Sequence, residues 1–247
     1  MIKQATGFGV VVMLLASTVA SAQPVSEPTS DKDTKAALEL EIKAAMDTCI
    51  QCHGPGGVSN IPTRPTIAGQ KSEYIENQLM AFRRSALTQQ VSPTEEISLV
   101  RSDPVMEHMA IGLSEHVIVP LAQAVSQLAC DGGVTKSELS KPRFGQRRPL
   151  AADACVGCHG LDGIGVWNHV PNLAGQQRAY LRRQLLLIRE TAWGAQPRDG
   201  EAWRSHPIME AKVARIRISD IDSIARYYAS MDCHGGVKFN PESSSNN

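Results

Sequence analysis

Aromatic side chains are scarce in this sequence, at 4% of its 247 residues. Net charge is absent as well, because 25 Lys and Arg balance 25 Asp and Glu, and no run is rich in Lys or Arg. Proteins that bind nucleic acid ordinarily carry a basic domain or patch, so nucleic acid is not an expected partner. Alternation of polar and apolar residues, the pattern typical of strands, is also missing, which favours an all-α fold.

Long apolar runs are missing beyond the N-terminus. The single candidate, from Phe8 to Ala20, follows Lys3 and ends in Ala20-Ser21-Ala22. A charged start, a short apolar region and small residues at a cleavage site are typical of a secretory signal peptide, and the run is short for a membrane span. We therefore expect residues 1–22 to be a signal peptide, cleaved after about Ala22. The mature protein would be exported to a bacterial periplasm without a stable membrane span; an uncleaved N-terminal anchor is the alternative.

Four of the six cysteines lie in two copies of the motif C-x-x-C-H, the attachment signature of a c-type haem. The copies are Cys49-Ile50-Gln51-Cys52-His53 and Cys155-Val156-Gly157-Cys158-His159. Two thiols on one helical turn can each add to a vinyl group of the same porphyrin, and the histidine that follows then lies under the iron. A redox-active or zinc-binding dithiol is the alternative for a single C-x-x-C, but two copies, each followed by His and Gly, favour haem.

These motifs predict two covalently bound haem c groups. The expected thioether positions are Cys49, Cys52, Cys155 and Cys158, and the expected axial histidines are His53 and His159. The low aromatic content agrees with small helical domains in which a porphyrin fills much of the core.

The second half of the chain repeats the first. A shift of 106 residues, which places Cys49 on Cys155, also matches the following pairs: Pro65 with Pro171, Ala68-Gly69-Gln70 with Ala174-Gly175-Gln176, Tyr74 with Tyr180, Gln78 with Gln184 and Arg83 with Arg189. Further on, the shift becomes 103 and matches Arg101 with Arg204, Pro104 with Pro207, Met106 with Met209 and Cys130 with Cys233. A repeat of about 100 residues is a duplicated domain, since solenoid units are shorter.

We therefore predict an all-α protein of two tandem domains, 34–131 and 149–238, joined by a Gly-, Pro- and Arg-containing linker at 132–148. An apolar stripe from Leu38 to Met46 predicts a helix that continues into the first haem motif. Apolar residues at helical spacing also predict a helix after each Ala-Gly-Gln and another at the end of each domain. Polar loops are expected at 85–103 and 191–206.

A haem iron held by one histidine has a sixth position, and methionine there suits electron transfer. Met106 and Met209 occupy the same slot in the repeat, each in a Pro-x-Met-Glu sequence that we expect to lie in a loop. Met109 is the competitor in the first domain. We predict Met106 and Met209 as the second axial ligands, because the shared slot outweighs the ordinary use of methionine as a core residue.

Residues twelve positions after each haem histidine supply a second prediction. A carbonyl near Pro65 or Pro171 would accept the other N–H of the imidazole and fix its orientation, although both prolines also read as simple turn residues. Arg101 and Arg204 are candidate partners of haem propionates, but arginines of this kind are more often solvated. Tyr74 and Tyr180 are either haem contacts or ordinary core residues.

Cys130 and Cys233 end the last helix of each domain in matching sequences. Export favours disulfides over free thiols, and a bridge needs Cα atoms within about 7 Å. We favour a single bridge between the domains over two separate buried thiols.

These features together resemble a dihaem class I cytochrome c, most closely the periplasmic cytochrome c4 family. The resemblance spans about 36–237 and is carried by the two C-x-x-C-H motifs, Pro65-Thr-Ile-Ala-Gly-Gln with Pro171-Asn-Leu-Ala-Gly-Gln, and each Pro-x-Met-Glu. It implies the axial pairs His53–Met106 and His159–Met209. It also implies electron transfer from a quinol-oxidising complex or a dehydrogenase to a terminal oxidase, with no substrate chemistry of the protein's own. The loop at 85–103 and the paired Cys130 and Cys233 depart from the family pattern.

Two other functions are open. One is a dedicated cytochrome subunit of a periplasmic dehydrogenase. The other is a dihaem peroxidase, which needs an open or displaceable sixth position on one iron. The presence of both Met106 and Met209 argues against a peroxidase.

Overall fold

The structure, a computed structural model, describes residues 31–87, 100–131 and 148–234, except 197 and 199. Its elements form two similar halves. The first half contains α1 (Asp31–His53), α2 (Ser72–Leu87), β1 (Val100–Ser102), α3 (Pro104–Ile111) and α4 (Glu115–Ser126). The second half contains α5 (Asp153–His159), α6 (Arg178–Ala192), β2 (Trp203–Ser205), α7 (Pro207–Val213) and α8 (Ile218–Ala229). The order of elements is the same in both, as the repeat predicts.

The first half folds around the apolar stripe of α1. Leu38, Ile42 and Met46 are partly buried and pack against a core that Val117, Leu121 and Val125 of α4 form. Helix α1 begins at Asp31, before the expected position 34, and runs without a break through the first C-x-x-C-H motif. The predicted helix and its buried face are confirmed.

The second half replaces the long first helix with a short one. Residues Leu150–Ala152 form a 3₁₀ turn that leads directly into α5. Its core is built from Ile221, Ile224 and Tyr228 of α8 with Leu181 of α6. The helix that ends in the second C-x-x-C-H motif thus has 7 residues, against 23 in the first half.

The all-α expectation misses one feature. Strands β1 and β2 pair as a two-stranded antiparallel ribbon, in which Arg101 lies opposite Arg204 and Ser102 opposite Trp203. The ribbon joins the two halves, and it uses parts of both segments expected to be loops. Strands of three residues are too short to show a period-two pattern in the sequence, and each pairs with a segment about a hundred residues away.

Matched side chains of the repeat tie the two halves together. Gln176 Oε1 accepts from Thr66 N at 2.9 Å, and its Nε2 donates to Thr66 O at 2.8 Å. Gln70 makes the equivalent pair with Asn172, at 2.8 Å and 3.0 Å. Each glutamine thus completes the backbone hydrogen bonding of the opposite half.

Cys130 and Cys233 form a disulfide, with Cα atoms 6.1 Å apart. The predicted bridge between the two halves is therefore confirmed. Gly69 and Gly175 lie directly beneath it: a Cβ added to Gly69 would stand 2.9 Å from Cys130 Cβ, and one added to Gly175 would stand 2.8 Å from Cys233 Cβ. The glycine of each Ala-Gly-Gln is required because no side chain fits under the bridge.

Several predictions lie outside the described residues: the signal peptide at 1–22, nearly all of the linker at 132–148, and the last residues of the second domain, 235–238. Within the part of the chain that is described, no single helix is long and apolar enough to cross a membrane. Helices α3 and α4 meet the length and composition requirement only as a pair, which bends by 115°.

Candidate functional site

The two C-x-x-C-H motifs sit at the C-terminal ends of α1 and α5. The helical backbone brings both thiols of each motif onto one turn, and all four, Cys49, Cys52, Cys155 and Cys158, are half-buried free thiols. Burial raises the pKa of the Cys155 thiol to about 11 and raises that of Cys49 as well. Redox dithiols instead depend on a lowered thiol pKa. The burial of these cysteines therefore disfavours a redox-active dithiol.

A zinc site is disfavoured by the surroundings of the same thiols. Structural zinc usually takes four Cys or His ligands. In residues 31–87, 100–131 and 148–234, the one cluster of ligand atoms close enough to hold a metal ion consists of Cys130, Cys233 and His234. Two of its three members are the disulfide cysteines, and neither C-x-x-C pair belongs to it.

Both haem-motif histidines are held in the same way. His53 Nδ1 lies 2.8 Å from Pro65 O, and His159 Nδ1 lies 3.0 Å from Pro171 O. A carbonyl can only accept, so Nδ1 carries the proton in each ring. Nε2 is then the atom with a free lone pair. The predicted role of the two prolines is confirmed by these contacts.

Glycine loops bring each proline back to its histidine. Gly57 O accepts from both Ile67 N and Ala68 N, at 2.9 Å and 3.1 Å, and Gly163 O accepts from the matching pair in the second half. Gly57 and Gly163 have φ values of 77° and 76°, a conformation that L side chains rarely adopt. The glycines after each motif therefore serve to close the loop that carries the carbonyl.

The imidazoles are kept neutral by their surroundings. Burial lowers the pKa of His53 below its ordinary value, the Pro65 carbonyl opposes that effect, and Arg64 and Arg101 reinforce it. Burial likewise lowers the pKa of His159, with Arg204 and His206 adding to the effect against the Pro171 carbonyl. A neutral imidazole is the form that binds a metal.

Met106 and Met209 lie in helices rather than in loops, which corrects the expectation for their backbone. Met106 is in the first turn of α3, where its N–H donates to Asp103 Oδ1 at 3.3 Å. Met209 is in the first turn of α7, where its N–H donates to His206 Nδ1 at 3.4 Å. Asp103 and His206 act as the N-caps, and each proline that follows suits the first helical position. The caps were missed because a Pro-x-Met-Glu sequence after a polar stretch also reads as a loop.

Burial separates Met106 from its competitor. Met106 is half-buried, as is Met209, whereas Met109 is 39% exposed. Exposure of Met109 agrees with the preference for Met106.

A cleft lies between α5 and α7 in the second half. It has a volume of about 520 Å³ and is lined on one side by Ala151 and Ala154, the residue before Cys155, and on the other by Ala211 and Lys212 of α7. Lys212 also acts on the pKa of Cys155. The cleft therefore lies between the helix that carries the thiols and the helix that carries Met209.

Two arginines that sequence reasoning left without a role hold the methionine segments. Arg83 Nη1 donates to Ile111 O and Leu113 O, at 2.9 Å and 2.8 Å, at the C-terminal end of α3. Arg189 Nε donates to Ile216 O at 3.1 Å, just after α7. The repeat pairs Arg83 with Arg189, and that match was the one sign in the sequence that the two arginines share a role.

The donor set fits haem c. Each half offers two free thiols on one turn, a neutral imidazole whose orientation is fixed, and a half-buried thioether. Gln78 Nε2 and Trp203 Nε1 are buried donors without an acceptor in the described part of the chain, and Arg101 and Arg204 are buried at 9% exposure each rather than solvated. Buried donors ordinarily have partners, and haem propionates are carboxylate acceptors.

Comparisons with known proteins agree with this arrangement. The sequence profile described as Cytochrome c matches residues 148–232. A cytochrome c4 of Azotobacter vinelandii is 31% identical over 190 residues, which is 75% of this chain and 84% of that protein. A thiosulfate dehydrogenase electron acceptor of Thiomonas intermedia (strain K12) is 28% identical over 197 residues, 74% of this chain and 78% of that protein.

Among solved structures, reduced recombinant cytochrome c4 from Pseudomonas stutzeri superposes with a TM-score of 0.55 at 24% identity, covering 78% of this chain and 98% of that chain. This likeness shows the tandem fold. From the site and the relatives together, the chain belongs to the cytochrome c4 family of electron-transfer cytochromes, and its cofactors are two covalently bound haem c groups.

Proposed function

We propose that the protein is a periplasmic dihaem electron carrier with the axial pairs His53–Met106 and His159–Met209. It would accept electrons from a quinol-oxidising complex or a dehydrogenase and pass them to a terminal oxidase. Haem c supplies a one-electron couple between ferric and ferrous iron, and thioether ligation raises its potential. The domains would extend over about 34–131 and 149–238.

The observation that carries this proposal is the pair of contacts from His53 Nδ1 to Pro65 O and from His159 Nδ1 to Pro171 O. A hydrogen bond to the far nitrogen fixes the ring and increases its basicity toward a metal. Because both halves share this contact, both histidines are prepared for the same role.

Filling both axial positions with protein atoms leaves no position for a substrate on either iron. Arg83 and Arg189 support this arrangement, because they hold the backbone just beyond each methionine helix in place. With these ligands the protein would transfer electrons and would not carry out peroxide chemistry.

Export to the periplasm is supported by the Cys130–Cys233 disulfide, since such bonds persist in oxidising compartments. The sequence at 1–22, which resembles a signal peptide, also favours export.

A second candidate function is a dedicated cytochrome subunit of a periplasmic dehydrogenase, which takes electrons from that one enzyme and not from a quinol-oxidising complex. It is favoured by the relative described as a thiosulfate dehydrogenase electron acceptor. The two candidates differ in the donor and not in the haem chemistry. Stopped-flow reduction of the oxidised protein by a purified thiosulfate dehydrogenase, compared with reduction by a quinol-oxidising complex, distinguishes them.

The axial ligands are tested by three single variants of the holoprotein: Met106→Ala, Met209→Ala and, as the matched control, Met109→Ala. Each of the first two is expected to halve the near-infrared methionine–iron band and to lower the potential of one haem. Met109→Ala is expected to leave both unchanged. Loss of the band in Met109→Ala, with Met106→Ala unaffected, would overturn the assignment in the first domain.

A further inference from the structure

The disulfide between the domains has a histidine beside one of its sulfur atoms. His234 follows Cys233, and its Nδ1 lies 3.8 Å from Cys233 Sγ. Cys130, Cys233 and His234 are the one group of potential metal ligands found in the described part of the chain, and their ligand atoms all lie within 4.8 Å of one another. Electron transfer between haems gives this group no role.

Solvent reaches this group of residues. Cys130 and Cys233 are partly buried, and His234 is exposed. Exposed disulfides are more easily reduced than the protected structural ones, because an attacking thiol can approach a sulfur atom. The bridge is therefore accessible to a thiol reductant.

A small cavity lies against the bridge. Its volume is about 20 Å³, and its lining includes both cysteines, Gly69 and Gly175 beneath them, and the polar side chain of Gln176. A cavity of this size is large enough for about one water molecule. The two sulfur atoms therefore have room to move apart when the bond between them breaks.

The two cysteines would remain neighbours after the bridge opens. The glutamine hydrogen bonds to Thr66 and Asn172 and the β1–β2 ribbon join the same two domains without using the cysteines. The Cα atoms of Cys130 and Cys233 are 6.1 Å apart. Reduction thus leaves two thiols and one imidazole held close together at the domain interface.

Two carboxylates stand on either side of the imidazole of His234. Asp232 Oδ1 lies 2.9 Å from Nδ1, and Asp131 Oδ2 lies 3.8 Å from Nε2. A carboxylate beside a ligating imidazole orients the ring and increases its basicity toward a metal. The two carboxylates also add negative charge, which favours a bound cation.

We propose that Cys130, Cys233 and His234 form a zinc site that assembles when the bridge is reduced. In the first step a dithiol gives two electrons and two protons to the bridge: the S–S bond breaks, both cysteines become thiols, and the dithiol becomes a disulfide. In the second step Zn²⁺ binds to two thiolates and one imidazole nitrogen, and the two thiol protons are released. Two cysteines and one histidine, with water in the fourth position, are an established set of zinc ligands.

The domains are then joined by a sulfur–sulfur bond in one redox state and by a metal ion in the other. Zinc binds the folded form, in which the three ligands meet, and it therefore stabilises that form.

The test compares two reduced forms of the holoprotein. Ascorbate reduces the irons and leaves the disulfide intact, whereas a phosphine also opens the disulfide and is removed before Zn²⁺ is added without oxygen. Equilibrium dialysis is expected to show one zinc ion per chain after phosphine treatment and none after ascorbate. Zn²⁺ is also expected to protect both new thiols from iodoacetamide and to raise the urea midpoint of the phosphine-treated protein.

His234→Ala is expected to weaken zinc binding at least about tenfold, since loss of a residue that merely orients a ligand already costs that much. His116→Ala is the matched control, because His116 is also exposed and also faces a carboxylate, that of Glu41 at 3.3 Å. Equal zinc affinities of the two variants overturn the inference. So does a bridge that the phosphine does not open, or a pair of thiols that Zn²⁺ does not protect.

The phosphine-treated protein is followed by circular dichroism before and after the addition of Zn²⁺. If the open form unfolds, recovery of the helical signal with Zn²⁺ supports the site, and absence of recovery overturns it. These measurements do not depend on the axial ligands of either iron, so the inference and the proposed function fail separately.

Discussion

Cys130 and Cys233 close the interface between the domains at one end, and each packs directly on a glycine of the repeat. The bridge, the reciprocal glutamine contacts and the β1–β2 ribbon all lie along the same contact between the halves. Their matched positions in the repeat indicate that the two domains meet through equivalent surfaces. An interface of this kind fixes the position of one domain relative to the other.

Removal of the disulfide is expected to destabilise the protein without changing its haem spectra. The cysteines are 103 residues apart, and a disulfide typically contributes about 2–4 kcal/mol, mainly because it restricts the unfolded chain. The double variant Cys130→Ala with Cys233→Ala should therefore lose about that much free energy of unfolding in urea, followed by circular dichroism. An unchanged midpoint in urea would show that the bridge adds nothing to stability.

Replacing Gln176 with Leu is expected to weaken the domain interface. The side chain is buried and satisfies both the N–H and the carbonyl of Thr66, and leaving buried polar groups unpaired costs about 1–3 kcal/mol each. The loss should be largest when the disulfide is also removed. Gln123→Leu, at an exposed position of α4, serves as control, and equal losses in the two variants would contradict a specific role for Gln176.

Gly175→Ala is expected to destabilise the second domain by at least about 1–2 kcal/mol. That is the cost of an L residue in a left-handed conformation, and φ at Gly175 is 70°. The added Cβ would also stand 2.8 Å from Cys233 Cβ. Gly112→Ala is the control, because φ there is −74° and an added Cβ would stand an ordinary 3.6 Å from its nearest neighbour. Thermal unfolding of the two variants measures the difference in stability. Similar melting temperatures for the two variants would refute the packing argument.

Arg83→Ala is expected to loosen the segment that carries Met106. Its guanidinium holds the carbonyls of Ile111 and Leu113, and hydrogen bonds to a charged group contribute about 1.5–3 kcal/mol. Loss of about 1.4 kcal/mol would let imidazole displace the methionine about tenfold more readily. Optical titration with imidazole measures this, with Arg182→Ala, an exposed arginine of α6, as control. Identical imidazole affinities would exclude a positioning role for Arg83.

The predictions from sequence succeeded where a short local pattern carries the chemistry. The two C-x-x-C-H motifs, the apolar stripe of α1 and the proline twelve residues after each histidine all act within one helix or one loop. The repeat extended this success to the disulfide, because matching cysteines at matching helix ends have few other partners in an exported protein.

The failures concern groups whose partners are distant along the chain. Strands β1 and β2 are too short to be seen alone, and Arg101 and Arg204 looked like solvated residues because nothing near them in sequence calls for a buried cation. The caps of α3 and α7 were hidden in segments that read as loops.

The sequence by itself determined the haem attachment, the duplication and the helices, since each depends on residues within a few turns of one another. Only the tertiary structure decided how the two copies face each other and which charges become buried between them. Burial and the pairing of distant segments depend on the packing of the whole chain, and no local pattern of residues records them.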